Sequence, residues 1–311
     1  MKIRVLGSAA GGGYPQWNCN HPNSLRPRRG DPEAPPRTQS SLAVSADGDD
    51  WVLFNASPDL RQQIFDNPVL HPRPDRGLRD SPIKAVVLTN ADVDHVAGLL
   101  NLRESQAFQI YATERVLGVL GANSIFNVLN PDFVTRVPMR LDRDVELLRP
   151  NGDPLGITIH PFAVPGKVAL WLEDEGAGEN FGSVDEDTIA LEVKDAAGRT
   201  CFFYMPACAR MTEALAERLD GAPLVFFDGT LWVDDEMVRD GVGVKTGKRM
   251  GHMSVSGDDG TIAAFDALNV SRKVFIHINT TNPILASDSP ERAAVEAAGW
   301  EVSYDGMEIE V

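Results

Sequence analysis

The chain has 311 residues, of which 43% are hydrophobic, and this is enough apolar material for a substantial core. Its formal net charge of −16 disfavours contact with nucleic acid or an anionic membrane surface, because both depend on clustered Lys and Arg. The three cysteines are too few and too scattered for a disulfide framework, and no segment approaches about 18 uninterrupted apolar residues. We therefore expect a cytoplasmic protein with no nucleic-acid or membrane partner.

Alternating hydrophobicity in the first third predicts strands separated by one long loop. Residues 2–6 alternate, and SLAVSADGDDWVLFNA predicts a hairpin, because DGDD supplies turn residues between two alternating runs. The segment between them, at about residues 14–40, is rich in Pro, Asn and Arg without periodicity, which predicts a long surface loop. The apolar run KAVVLT then indicates a buried strand, and helical spacing follows in VAGLLNLRES.

The rest of the chain mixes hairpins with strand and helix pairs. The expected elements are a strand and helix in QIYATERVLGVLGA, a hairpin in TIALEVKDAAGRTCFFYM, a helix in MTEALAERLDG, strands in PLVFFDG and KVFIHI, a helix in SPERAAVEAAG and final strands in WEVSYDGMEIEV. This order, without a break in composition, predicts one α+β domain over residues 1–311. We expect two mixed sheets packed face to face, with helices outside.

Only six histidines are present, so a metal site must draw on few residues. After the strand KAVVLT, the segment LTNADVDH resembles the metallo-β-lactamase superfamily, whose signature H-x-H-x-D-H follows a buried strand. The resemblance implies the αββα four-layer sandwich of that superfamily. It also implies that Asp94 and His95 bind one metal ion together with a late histidine, which matches His277 at the end of KVFIHI.

The other metal site of the superfamily has lost its expected ligands. Asn90 and Asp92 stand at the positions of its first two histidines. Gly166 takes the place of the third, and PACAR offers Cys208 but no bridging carboxylate. A binuclear hydrolase needs two ions roughly 3.5 to 4 Å apart, whereas two histidines and one carboxylate favour a mononuclear, open-sided Fe(II) site that activates dioxygen. Asp92 is either an additional ligand or a group that orients His95.

Eight segments extend the resemblance over nearly the whole chain. They are LGSAAGGGYPQWNCN, RTQSSLAVS, FNASPDLRQQ, FFDGTLWVDDEM, GVGVKTGKRMGHMS, FIHINTTNPIL, SPERAAVEAAG and YDGMEIEV. On these segments the chain resembles the family of pyrroloquinoline quinone (PQQ) biosynthesis proteins B. The resemblance implies a part in making PQQ from a cross-linked glutamate-tyrosine precursor. That part is either an iron-dependent hydroxylation of the tyrosine ring or the transport of PQQ or its precursor to the periplasm.

The N-terminal loop is a candidate for a structural zinc site. The family often has three cysteines spaced as C-x-C-x-x-C in this loop, and this chain has Cys19, His21 and Ser24 at those positions. Serine is a poor zinc ligand. Two alternatives follow: Cys19 and His21 hold zinc with help from elsewhere, or the loop is held by packing of Tyr14 and Trp17.

Asp228 and His252 are candidates for catalytic residues beside the metal. Asp228 emerges from the strand PLVFFDG into a glycine turn, where it accepts a hydrogen bond from a metal ligand, contacts substrate or simply forms the turn. His252 in GHMS matches a position that donates a proton to the leaving group in phosphodiesterase relatives. We expect it to orient substrate or transfer protons, with an ordinary core histidine as the alternative.

Substrate binding is expected from polar residues near His277 and from the N-terminal loop. Asn279, Thr281 and Asn282 follow His277 closely and either bind a substrate carboxylate or fix the histidine. Arg28 belongs to a basic run in an acidic chain, and a precursor with several carboxylates suits bidentate binding by Arg. The alternative is an ordinary solvated charge.

These inferences together predict an oxygenase with one Fe(II) per chain. Its metal ligands are Asp94, His95 and His277, with Asp92, Asp228 and His252 lining or orienting the site. Its partners are the cross-linked Glu-Tyr precursor, O2, an external reductant and other PQQ biosynthesis proteins. Two rival functions are a zinc-dependent hydrolase of the metallo-β-lactamase superfamily and a carrier that binds PQQ or its precursor without catalysis.

Overall fold

The computed structural model describes residues 1–174, 176 and 182–311. Its strands are β1 (Lys2–Gly7), β2 (Ser41–Ser45), β3 (Trp51–Phe54), β4 (Ile83–Val87), β5 (Phe108–Thr113), β6 (Val134–Met139), β7 (Val145–Leu148), β8 (Pro154–Ala163), β9 (Ile189–Asp195), β10 (Thr200–Met205), β11 (Val225–Asp228), β12 (Lys273–Ile276), β13 (Trp300–Val302) and β14 (Glu308–Glu310). Its α-helices are α1 (Pro22–Arg28), α2 (Leu60–Asp66), α3 (Val93–Val96), α4 (Glu114–Ala122), α5 (Glu213–Leu219), α6 (Glu236–Arg239), α7 (Gly247–Met250), α8 (Thr261–Phe265) and α9 (Pro290–Ala297). Short 3-10 helices cover Pro68–Leu70, Pro74–Arg76, Ala97–Leu102, Ser124–Val128, Leu170–Leu172 and Pro283–Leu285.

The strands form two mixed sheets of seven strands each, as the sequence predicts. The first has the order β14-β1-β2-β3-β4-β5-β6 and the second the order β13-β12-β11-β10-β9-β8-β7. In the first sheet, β14 to β3 pair antiparallel and β3 to β6 pair parallel. The second sheet repeats this plan, with β7 to β10 antiparallel and β10 to β13 parallel.

The period-two pattern of the strands explains the layers. In β3, Val52 and Phe54 point into a core shared by both sheets, whereas Leu53 on the opposite face packs among residues of the helical layer. In β10, Phe202 faces the shared core and Phe203 faces the helices that cover the second sheet. The two sheets therefore lie face to face with helices outside, and the predicted αββα sandwich is confirmed.

Two connections differ from the sequence-based expectation. The loop predicted at residues 14–40 contains the helix α1. Tyr14 is buried, as the packing alternative requires, but Trp17 is 84% exposed and does not belong to the core. The helix expected in VAGLLNLRES is a 3-10 helix at Ala97–Leu102. A Cβ on Gly98 would lie 2.1 Å from the carbonyl oxygen of Ser57, so the backbone here approaches the neighbouring loop closely.

Three loops that follow parallel strands meet at one edge of the sandwich. They come after β4 in the first sheet and after β11 and β12 in the second. The loop after β1 joins them, because the Ala10 N–H donates to the Ile278 carbonyl and the Ile278 N–H donates to the Ser8 carbonyl. The carboxyl ends of parallel strands are where α/β proteins commonly place their sites. None of the helices described is long and apolar enough to cross a bilayer.

Candidate metal centre

The edge just described brings three predicted ligands together. Asp94 and His95 lie in the first turn of α3, which begins soon after β4, and His277 directly follows β12. Their candidate ligand atoms all lie within 4.8 Å of one another. His277 has a φ of 59°, in the left-handed region that a bulky residue rarely adopts, so local backbone strain places its imidazole beside Asp94.

Asn90 determines how His95 is oriented. The Asn90 Oδ1 lies 2.7 Å from His95 Nδ1 and also accepts the Asp92 backbone N–H at 3.0 Å. Because a backbone N–H must meet an oxygen, the amide orientation is fixed and the His95 proton belongs on Nδ1. The other ring nitrogen, Nε2, is buried and has no hydrogen-bond partner among the described residues. It is the atom left to bind a metal ion.

Thr230 orients the His277 ring as Asn90 orients that of His95. Its Oγ1 lies 2.9 Å from His277 Nδ1 and 2.6 Å from Asp228 Oδ1, to which the hydroxyl donates. The hydroxyl therefore accepts a hydrogen bond from the imidazole N–H and donates one to the carboxylate. His277 Nε2 is directed to Asp94, 3.0 Å from Oδ2. Both histidines thus present Nε2 to the space beside one carboxylate.

The charges of these groups suit a divalent cation. Burial lowers the pKa of His95 to about 4 despite the nearby Asp94 carboxylate, so the imidazole is neutral at neutral pH. Burial alone would raise the pKa of Asp94, but His95 and a hydrogen bond from His277 outweigh it and the pKa is lowered. Burial would lower the pKa of His277, but its hydrogen bond and attraction to Asp94 raise it. A carboxylate and imidazole nitrogens are the donors that metal ions such as Zn²⁺ and Fe²⁺ take, so these residues fit a single metal ion.

The other metal position of the superfamily lacks its expected ligands in the structure. A Cβ on Gly166 would lie 2.6 Å from the Thr188 Cβ, so this backbone has no room for a histidine. The Cys208 thiol is fully buried, and burial raises its pKa to about 12, which keeps it protonated and unsuited to binding metal. Asn90, at the position of the first lost histidine, accepts a hydrogen bond from His95.

Asp228 and His252 form a buried pair next to the ligands. His252 Nδ1 lies 2.6 Å from Asp228 Oδ2, and the carboxylate also accepts the Cys208 N–H at 3.1 Å. Asp228 is fully buried, and the His252 ring stacks on His277 at 5.1 Å between centroids. Because Asp228 occupies Nδ1, a proton exchanged with a bound molecule must pass through His252 Nε2.

A cavity of about 420 Å³ opens onto the three ligands. Besides the ligands, its wall includes fourteen residues: Ala10, Gly11, Gln16, Asn90, Asp92, Lys167, Leu170, Ala207, Thr230, Met237, Lys245, Met250, His252 and Asn279. Gly11 reaches the centre itself, because a Cβ there would lie 3.3 Å from Asp94 Oδ2. The glycine-rich loop after β1 therefore serves as a wall of the metal site.

Comparisons with known proteins agree with this architecture. A model of the beta-lactamase superfamily domain matches residues 50–278. The coenzyme PQQ synthesis protein B of Xanthomonas euvesicatoria pv. vesicatoria is 56% identical over 99% of both chains, and that of Gluconacetobacter diazotrophicus is 57% identical, again over 99% of each. The chain belongs to the coenzyme PQQ synthesis protein B family.

Solved structures of the family and superfamily have the same fold. The crystal structure of a Zn²⁺-bound PqqB from Methylobacterium extorquens covers 100% of both chains with a TM-score of 0.93 and 49% identity. A diphosphatase from the PhnP family covers 100% of this chain and 96% of its own, with a TM-score of 0.69 and 18% identity, and it shares the fold. The family resemblance stated from the sequence is confirmed.

Asp92 lines the cavity of this family member without joining the ligand group. Its Oδ1 accepts the Leu170 N–H at 3.3 Å and lies 4.0 Å from Lys167 Nζ. Burial raises the pKa of Asp92, and the Lys167 ammonium opposes that shift. Its side chain makes no hydrogen bond to His95 in the part of the chain described, and Asn90 supplies that bond instead.

Three of the four predicted substrate-binding residues form hydrogen bonds to other groups of the protein and do not line the cavity. The Arg28 guanidinium donates to the backbone carbonyls of Gln16, Trp17 and Cys19 and does not reach the cavity. Thr281 and Asn282 are buried: the first donates to Glu236, and the second donates to the Gly229 carbonyl and caps the 3-10 helix at Pro283–Leu285. Asn279 alone lines the cavity.

The N-terminal loop does not fit a structural zinc ion. Cys19 Sγ accepts the His21 N–H, and the two His21 ring nitrogens meet the Asn23 N–H and the Asp240 carboxylate. Within the described residues, two groups of side chains could hold a metal ion: the three ligands named above, and Asp228, His252 and His277. Neither group includes Cys19 or His21. Ser24, at the third family position, hydrogen-bonds to Thr280 Oγ1 at 2.6 Å. Direct bonds hold α1 to the segment after β12, so the alternative of a loop without zinc is favoured.

Proposed function

We propose that this protein acts in PQQ synthesis as a mononuclear, Fe(II)- and O2-dependent hydroxylase of the tyrosine ring in a cross-linked Glu-Tyr precursor. The observation that carries the proposal is the buried Nε2 of His95, which has no hydrogen-bond partner among the described residues and lies beside Asp94 and His277. Gly166 and Cys208 stand where a second metal ion would need ligands. Two histidines and one carboxylate are the ligand set of many non-haem Fe(II) oxygenases.

When bound, Fe(II) would supply a centre with up to three positions open to O2 and substrate. In each hydroxylation a ring C–H becomes C–OH with one atom of O2, the other oxygen atom leaves as water, and an external reductant supplies two electrons. The protein contributes orientation: Asn90 and Thr230 hold Nδ1 of the two histidines, so their Nε2 atoms face one point.

The Asp228–His252 pair would handle protons. Asp228 orients the imidazole through Nδ1 and stabilises its protonated form, as a buried carboxylate does for a catalytic histidine. His252 Nε2 would then accept the phenol proton of the tyrosine ring and make the ring more electron-rich. His252 lines the same cavity as the ligands, so a ring bound there can meet both.

The test is anaerobic reconstitution with Fe(II), followed by addition of the cross-linked precursor, a reductant and ¹⁸O2. Mass spectrometry is expected to find one ¹⁸O atom in the product for each hydroxylation. His95→Ala should abolish the gain, since it removes the unpartnered nitrogen. Absence of ¹⁸O from the product of the wild-type protein, with intact precursor and reductant, contradicts the proposal.

A zinc-dependent hydrolase is the second candidate, because a family member with 49% identity is Zn²⁺-bound. The measurement that favours it is two zinc ions per chain together with turnover of an ester or phosphodiester. A carrier function predicts instead that the precursor binds without O2 consumption and that His95→Ala leaves this binding unchanged.

A further inference from the structure

Three cations lie close to the carboxylate of Glu173, and two of the three line the cavity. The Glu173 side chain is 8% exposed and lies 3.5 Å from Lys167 Nζ, 3.3 Å from Lys245 Nζ and 2.8 Å from the Arg249 guanidinium. Lys167 and Lys245 line the cavity that contains Asp94, His95 and His277. The cluster thus belongs to the same space as the metal centre.

The cavity wall carries cations although the chain as a whole is strongly acidic. Lys167 and Lys245 place two ammonium groups there, in a cavity that also holds the carboxylates of Asp92 and Asp94, whereas the chain has a net charge of −16. These ammonium groups are positive charges that an anion entering the cavity can meet. The mechanism proposed above does not use this charge.

The Lys167 ammonium is only weakly bonded within the protein. Its contacts with the Val168 carbonyl, Glu173 and Asp92 measure 3.5, 3.5 and 4.0 Å, whereas a charge-assisted N–H···O bond is typically about 2.7 to 2.9 Å. An ammonium has three N–H donors, and the Lys167 side chain is only 15% exposed. A carboxylate that enters the cavity can therefore form shorter bonds to this ammonium than the described residues do.

Another part of the cavity wall is apolar. Leu170, Met237 and Met250 line it together with the lysines. Methionine sulfur makes favourable contacts with aromatic rings, and its flexible side chain adapts to their shape. The cavity therefore combines a surface for a flat aromatic ring with cations for the charges attached to that ring.

We infer that Lys167 and Lys245 bind carboxylates of an aromatic polycarboxylate whose ring lies against Met237 and Met250. The inference deepens the proposed function, on which it rests for the identity of the natural ligand, the Glu-Tyr precursor. Glu173 is a positioning residue that keeps both ammonium groups at the wall when no ligand is bound. Carboxylate binding, which the sequence analysis assigned to Arg28, is thus assigned to these lysines.

The test uses PQQ itself as the probe, because it carries three carboxylates on a fused aromatic system and binding requires no turnover. Its dissociation constant is measured by calorimetry for the wild type, Lys167→Met and Lys245→Met at one fixed metal content. Each substitution removes a charge-assisted bond and is expected to weaken binding about tenfold or more. Raising the salt concentration from about 0.05 to 0.5 M should weaken wild-type binding more than that of either single variant.

Two control variants separate charge from fold. Lys248→Met removes an exposed cation that pairs with Asp259 outside the cavity, and it should leave the dissociation constant unchanged. Lys167→Arg keeps the charge and should retain most of the affinity. Circular dichroism checks that each variant is folded, and if a Met variant unfolds, the salt dependence of wild-type binding decides.

The outcomes distinguish this inference from the proposed function. If PQQ binding depends on the lysines but no ¹⁸O is incorporated, the carboxylate site is supported and the oxygenase proposal is contradicted. Equal affinity of the wild type and both Met variants, or no measurable binding of PQQ to the wild type, overturns the carboxylate site whatever the oxygen experiment gives.

Discussion

Substitution of Asn90 by alanine tests the finding that the position of a lost histidine now orients a remaining one. Asn90 is 3% exposed, and its Oδ1 accepts both His95 Nδ1–H and the Asp92 N–H. Alanine removes the acceptor of the imidazole donor, which is buried, whereas Asp92 is partly exposed. A buried, unsatisfied donor costs about 1 to 3 kcal/mol, which is the expected loss in the free energy of unfolding.

The same change should weaken metal binding by about 10- to 100-fold, the usual effect of removing a group that orients a ligating histidine. Competition between the protein and a chromogenic chelator for Zn²⁺ measures this affinity, and urea unfolding measures the stability. Asn90→Asp keeps an acceptor for both donors and should retain most of the metal affinity. Asn127→Ala, at an exposed position far from the centre in sequence, is the matched control. Unchanged Zn²⁺ affinity in folded Asn90→Ala would refute the role assigned to this amide.

Three further predictions concern pH, zinc and packing. Burial raises the pKa of Glu236 from 4.5 to about 7, so the folded state favours its neutral form. The contribution of Glu236 to stability is then fully present below about pH 4.5, and about 3 kcal/mol of it is lost as the pH rises to 7. Urea unfolding should show that Glu236→Gln is more stable relative to the wild type at pH 8 than at pH 4.5, and an equal difference at both pH values would exclude this linkage. Cys19→Ser should leave the zinc content unchanged by elemental analysis, whereas the loss of one zinc ion per chain would restore a metal to the N-terminal loop. Gly166→Ala should destabilise the fold by about 1 to 3 kcal/mol in urea, since its Cβ overlaps Thr188, and a neutral effect would mean that this position is open to a side chain.

The fold was predictable because its signals are local. Alternation in β3 and β10 assigns one face of each strand to the core between the sheets and the other to the helices, and the structure follows this pattern. The ligands Asp94, His95 and His277 could be named because they keep the order and strand positions of the superfamily. The local prediction that differs from the structure is the helix in VAGLLNLRES, which is a 3-10 helix at Ala97–Leu102. There the backbone at Gly98 comes close to Ser57.

The remainder of the site depends on contacts between distant parts of the chain. Lys167, Glu173 and Lys245 meet only after folding. The sequence offered two weak signals: Lys167 follows the substituted position Gly166, and Lys245 lies in the family segment GVGVKTGKRMGHMS. Arg28 looked suitable by charge, but its guanidinium is used by backbone carbonyls of its own loop. A side chain's charge can be read from the sequence, whereas its partners come from tertiary packing.

The most direct test of the account is anomalous diffraction from a crystal grown anaerobically with Fe(II). We predict one iron peak per chain, bounded by Nε2 of His95, Nε2 of His277 and a carboxylate oxygen of Asp94. Two peaks roughly 3.5 to 4 Å apart, or a single peak bound by other side chains, would contradict the mononuclear centre on which the proposed chemistry depends.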